Sequence, residues 1–235
     1  MDRAIPSGRE KLLWVLGLTL FCSAGFLGVA KINILWVANG ARTVTLETPL
    51  DGMIPFRPGW IWIYLSYYPF CFLPLAAWRR GVLFRQAAAG FGIQFATCLP
   101  FFALLPAWMD QPAVSGTSLS ERAVRALYSV DPGFNIFPSL HVANVLLVAA
   151  VCWRLERRFG AAVWAWALLV AVSTVTVKQH YVVDVVAGAA LAAGTIALVL
   201  VRWDGLWPDE RLRSLGGASL KDPVDSPARS PEEAS

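Results

Sequence analysis

The chain is poor in charge and poorer still in histidine. Of its 235 residues only 15% are Asp, Glu, Lys or Arg, and two are histidine. So little charge excludes an ordinary soluble domain, in which about a quarter of residues are charged. It also excludes disorder over most of the length, because such a chain has ample apolar surface to bury. Cysteine is scarce as well: Cys22, Cys71, Cys98 and Cys152 each lie alone inside an apolar stretch. Without paired spacing they exclude a disulfide framework and a thiolate metal site. The net charge of +4 is scattered between apolar runs, which gives no basic face for nucleic acid.

Apolar residues are what the chain has, at 57% and a mean hydropathy of +0.54. Six stretches approach the roughly 20 helical residues that cross a bilayer core of about 30 Å: Leu12–Ala30, Pro58–Trp78, Gln86–Met109, Pro138–Trp153, Ala161–Val177 and Tyr181–Val201. The predicted fold is therefore all-α, a polytopic membrane protein of six transmembrane helices. Leu12–Ala30 follows Arg3, Arg9 and Lys11 but is longer than a signal-peptide core and ends in no small-x-small site, so it reads as a retained helix.

Basic residues set the orientation. Arg79-Arg80, Arg157-Arg158 and the Arg3, Arg9, Lys11 group fall on one side of a six-span arrangement, together with the C-terminal tail. Both termini are then expected in the cytoplasm, in the cell (inner) membrane, with the loops holding the two histidines on the periplasmic or extracellular face. Residues 1–203 read as one membrane domain, and 204–235, polar and rich in Pro, Ser and Gly, as a disordered cytoplasmic tail. Within the loop from Lys31 to Arg57, Ile32, Ile34, Leu35 and Trp36 suggest a short interfacial helix. Trp60, Trp62, Tyr64, Tyr67 and Tyr68 read as an aromatic belt at the headgroup level, or alternatively as the walls of a lipid entrance. Ser120–Tyr128 reads as a short helix carrying Arg122 and Arg125 on one face.

The two histidines lie at the mouths of apolar segments, in Phe137-Pro138-Ser139-Leu140-His141 and in Lys178-Gln179-His180-Tyr181-Val182-Val183-Asp184. On a helix, His180 and Asp184 are neighbours one turn apart. A hydrogen bond from His180 Nδ1–H to Asp184 offsets part of the cost of an intramembrane carboxylate. It also leaves the Nε2 lone pair free as a nucleophile toward phosphorus. Pro138-Ser139 reads as a helix start, whose free N–H groups and Ser139 hydroxyl suit an anion. His141, one turn in, is placed to protonate a leaving alkoxide. Lys178, Arg122 and Arg125, expected on the same face, are candidates to bind the substrate phosphate. Each motif alone has a plainer reading, His141 as an interfacial anchor and Asp184 as a proton site of a carrier or scaffold.

These residues resemble the type 2 phosphatidic acid phosphatase superfamily, whose motifs are K-x6-R-P, P-S-G-H and S-R-x5-H-x3-D. The second stands here as Pro138-Ser139-Leu140-His141; the third as Ser173, Thr174, His180 and Asp184. The resemblance runs from about Ala123 to Gly188. It implies a phosphohistidine on His180, assisted by Asp184, with His141 as acid and neither metal nor organic cofactor. It further implies a lipid phosphate or phospholipid substrate met in the bilayer; nothing in the sequence sets an oligomeric state. The first motif is missing, since Arg57-Pro58 is preceded by Leu50 where lysine belongs and lies before the second span. Thr174 replaces an arginine, with Lys178 the nearest substitute. These departures, with the strings Phe-Pro-Ser-Leu-His and Lys-Gln-His-Tyr, look more like the inositol phosphorylceramide synthase branch, an inositolphosphotransferase group. Lipid phosphate hydrolysis is the expected activity, and headgroup transfer the alternative. CDP-alcohol phosphotransferases are set aside, because Asp51-Gly52-Met53-Ile54-Pro55-Phe56 breaks their D-G-x2-A-R pattern.

Overall fold

A computed structural model describes residues 7–40, 42–131 and 133–202. The segment 204–235, expected to be a disordered tail, lies outside the described residues. The fold is helical, in the order α1 (Gly8–Ala38), α2 (Pro49–Met53), α3 (Ile61–Leu65), α4 (Tyr67–Phe70), α5 (Gly81–Leu104), α6 (Leu119–Val130), α7 (Leu140–Leu155), α8 (Arg157–Thr176) and α9 (Val182–Ile196). Among the described residues five segments are long and apolar enough to cross a membrane: Gly8–Ala38, Pro58–Ala77, Gly81–Leu104, Arg157–Thr176 and Val182–Arg202. The sixth expected span, α7, has 16 residues. It is the most enclosed helix, with nearly every residue from Val142 to Cys152 buried. A helix apolar all round belongs in a core, and α7 packs against α5, α8 and α9 rather than lipid.

Three expectations are corrected. The segment Ile32–Trp36 forms no separate interfacial helix, because α1 runs on unbroken to Ala38. Pro58–Trp78 is not one helix. It is a series of short turns, a 3-10 turn at Pro58–Trp60, then α3, α4, and a 3-10 stretch at Leu73–Arg79. Pro69 and Pro74 each remove an N–H from the ladder, which explains the break. Trp166 of α8 clasps one junction by donating from Nε1 to Ser66 Oγ at 2.9 Å. Lastly, α9 begins only at Val182, so His180 lies in the turn before it.

Arg80, Arg85 and Arg154 gather at one end of the bundle. Arg80 Nη1 donates to the Arg154 carbonyl and Arg154 Nη2 to that of Leu200, while Arg85 pairs with Glu10 at 3.3 Å. The histidines occupy the other end. There α2 docks on the start of α9: Asp51 accepts from Val182 N at 2.8 Å and from Thr48 N and Oγ1. A carboxylate on a helix N-terminus satisfies an orphan donor and meets the positive end of the dipole.

Candidate active site

Two helix starts and one turn assemble the site. Ser139 caps α7, its Oγ accepting from Val142 N, and its own N–H donates to the Asp184 carbonyl at 3.0 Å. That bond locks the start of α7 to the first turn of α9. Packing there is backbone against backbone, since a Cβ on Gly188 would lie 2.4 Å from the Ser139 carbonyl oxygen. His180 sits in the turn between α8 and α9, where its N–H and that of Gln179 both donate to the Thr174 carbonyl.

The result brings the only two histidines together. His141 Nδ1 lies 3.2 Å from His180 Nε2, with ring centroids 5.4 Å apart. Behind His180, Nδ1 faces Asp184 Oδ2 at 3.6 Å, longer than a hydrogen bond but close enough to tighten when the ring becomes charged. Asp184 is fully buried. Its Oδ2 accepts from Tyr181 N at 2.8 Å, while its Oδ1 and His180 Nδ1 have no other partner. A buried carboxylate with spare acceptor capacity beside an imidazole favours the Nδ1–H tautomer, which leaves Nε2 with its lone pair.

Tyr64 was missed by the belt reading. Its ring is wholly buried, and its hydroxyl lies 3.0 Å from His141 Nε2. The contact serves both states of His141: the hydroxyl donates to a neutral ring and accepts from a protonated one. Tyr67 covers the same ring, with centroids 4.4 Å apart, and its hydroxyl accepts from Asn144 Nδ2 at 2.7 Å. Trp62 and Tyr68 are exposed, as a belt requires. Only the pairing of Tyr64 with a histidine far along the chain distinguishes the two kinds of aromatic residue. Replacing Tyr64 by Phe keeps the ring and removes the partner of His141; kcat is expected to fall about tenfold with little change in KM, measured by steady-state turnover.

The expected phosphate binders are elsewhere. Lys178, at φ +52°, donates Nζ to the carbonyls of Asp51 and Ile54 at 3.0 and 2.7 Å, so it fastens the α2 loop. Arg125 holds the carbonyls of Val114 and Gly116, and Arg122 is exposed on α6. Ser139 is fully buried and serves as a cap. These side chains do not line the cavity of about 530 Å³ into which the histidines open. Among the described residues no Lys or Arg lines that cavity; its polar end holds Asp131, Asn135, Asn144 and Gln179 beside the histidines. Burial pushes the Asp131 carboxyl above its ordinary value, opposed by nearby His180 and by the Gly133 amide. Asn135, at φ +59°, ties the loop before α7 to α1 by donating to the Phe26 carbonyl and accepting from Asn33. Among the described residues no three His, Cys, Asp or Glu side chains cluster to hold a metal ion.

Comparison with protein families matches a family model described as the PAP2 superfamily, over residues 59–198. That stretch is more than half of the chain and includes both histidines. No curated protein and no solved structure matches.

Proposed function

The chain belongs to the PAP2 superfamily, and from that premise we propose that it cleaves the phosphate ester of a membrane lipid at the paired histidines, without a metal. One observation carries the reading: His141 Nδ1 and His180 Nε2 face each other at 3.2 Å, with Asp184 behind His180. The lipid phosphate enters between the rings. His180 Nε2 attacks phosphorus, the bond from phosphorus to the leaving alcohol breaks, and protonated His141 gives its proton to the departing oxygen. Asp184 stabilises the charged His180 ring. Water then gives a proton to His141 and attacks phosphorus, the N–P bond breaks, and phosphate leaves. The basic end of the bundle is assigned to the cytoplasm, which puts the histidines on the opposite face of the membrane. Residues 1–203 are taken as one catalytic domain.

A second reading, transfer to an alcohol in place of water, is favoured by the cavity lining. A phosphomonoester dianion would meet the Asp131 carboxylate with no Lys or Arg among the described lining residues to offset it. A phosphodiester carries one charge less, and a hydroxyl can both donate and accept among Asp131, Asn144 and Gln179. This supports the headgroup-transferase alternative suggested by the inositol phosphorylceramide synthase strings.

The deciding assay uses purified protein in detergent with EDTA and labelled phosphatidic acid, an isoprenoid diphosphate and phosphatidylinositol. Ceramide or diacylglycerol is present as acceptor. Free phosphate is the expected product of a hydrolase, and label on the acceptor lipid that of a transferase. Equal background from wild type and His180→Ala across the panel would overturn both.

A further inference from the structure

The cavity does not stop at the histidines. Its wall on α1 is a stripe recurring one turn apart from Phe26 through Cys22 and Leu18 to Trp14. Facing it are Phe95, Ala88 and Phe84 of α5 and the broken second span. Phe26 marks the catalytic end, because its carbonyl accepts from Asn135. From there to Trp14 is about 18 Å at roughly 1.5 Å per residue. The cavity of about 530 Å³ runs along that length. Small side chains, Thr19, Ser23 and Ala88, keep its middle open. Trp14 and Phe84 stand at the far end, next to the Glu10–Arg85 ion pair.

We infer that this cleft holds the hydrocarbon portion of the lipid substrate, and that Trp14 and Phe84 measure its length. The inference rests on the lipid reading above and adds to it α1, which lies outside the matched residues 59–198. Continuity with the histidine pair identifies the occupant, since a chain there hangs from a phosphate held between the rings. A cleft of about 18 Å exceeds one leaflet of a core roughly 30 Å thick, so it suits a chain about as long as an extended palmitoyl group. Bilayer tails are as apolar as the cleft, so transfer alone gives little preference; the fit of chain end to far wall sets it.

The test is a chain series of matched phosphatidic acids and phosphatidylinositols, dioctanoyl through dipalmitoyl to diarachidoyl, at fixed surface concentration in mixed micelles. Wild-type kcat/KM should climb about tenfold to dipalmitoyl and then decline. Thr19→Trp, blocking the cleft about 10 Å from Phe26, should move the optimum to shorter chains. Trp14→Ala should move it to longer ones. Opposite shifts cannot come from general damage to the fold. A flat wild-type profile, or an optimum that neither variant moves, overturns the inference while His180-dependent turnover leaves the proposed function standing. Loss of that dependence removes both.

Discussion

His180→Ala is expected to reduce turnover by about four orders of magnitude or more, because in the proposed reaction it removes the atom that bonds to phosphorus. The ring is buried but lines the cavity, so its removal enlarges that cavity rather than emptying a closed core, and the variant should stay folded. Wild-type protein quenched during turnover of labelled substrate should carry acid-labile, base-stable label, as a phosphoramidate does, and His180→Ala should carry none. His141→Ala separates the roles. With an alkyl ester the loss should be about a thousandfold, the upper range for a general acid. With an alkyl nitrophenyl phosphate, whose leaving group needs no proton, it should shrink to less than tenfold. Equal losses on both esters would mean that His141 acts in binding or positioning instead.

Gly188→Ala should lower kcat about a hundredfold although it touches no reacting atom. The added methyl would sit 2.4 Å from the Ser139 carbonyl oxygen, and backbone cannot turn aside as a side chain can. The first turn of α9 must then part from the start of α7. Asp184 rides on one and His141 on the other. A displacement near 1 Å between catalytic groups costs about a hundredfold, and overpacking destabilises by about 1–3 kcal/mol. Gly194, on the same helix with nothing within 4 Å of a built Cβ, is the control: Gly194→Ala should keep activity within about twofold. Stopped-flow kinetics with thermal unfolding of both variants checks the contrast.

Five of the six apolar spans were legible because hydropathy is a local property, and the closeness of His141, His180 and Asp184 because their spacing and residue types are unusual in lipid. The cations were not. Lys178 and Arg125 lie close in sequence to chemistry, yet both end on backbone carbonyls of loops that sequence cannot place beside them. Ser139 signalled a helix start correctly, and that same capping bond turned its hydroxyl away from the cavity. Pro69 and Pro74 were visible breakers inside Pro58–Trp78, but a run of apolar residues outweighed them; at the Ser66 junction Oγ accepts from Trp166 Nε1 and donates to the Ile63 carbonyl. Tyr64 needed a partner 77 positions away to become more than a belt residue.

The two imidazoles at rest each cover the other's working nitrogen. Such a pair behaves as a closed clasp: any phosphate must wedge it open before a bond can form. The work of opening has to come from parts of the substrate that do not react, and a lipid brings its chain for that purpose. Inorganic phosphate and small soluble esters bring none. In the proposed reaction the clasp is then a filter against the aqueous phosphate pool that bathes its mouth.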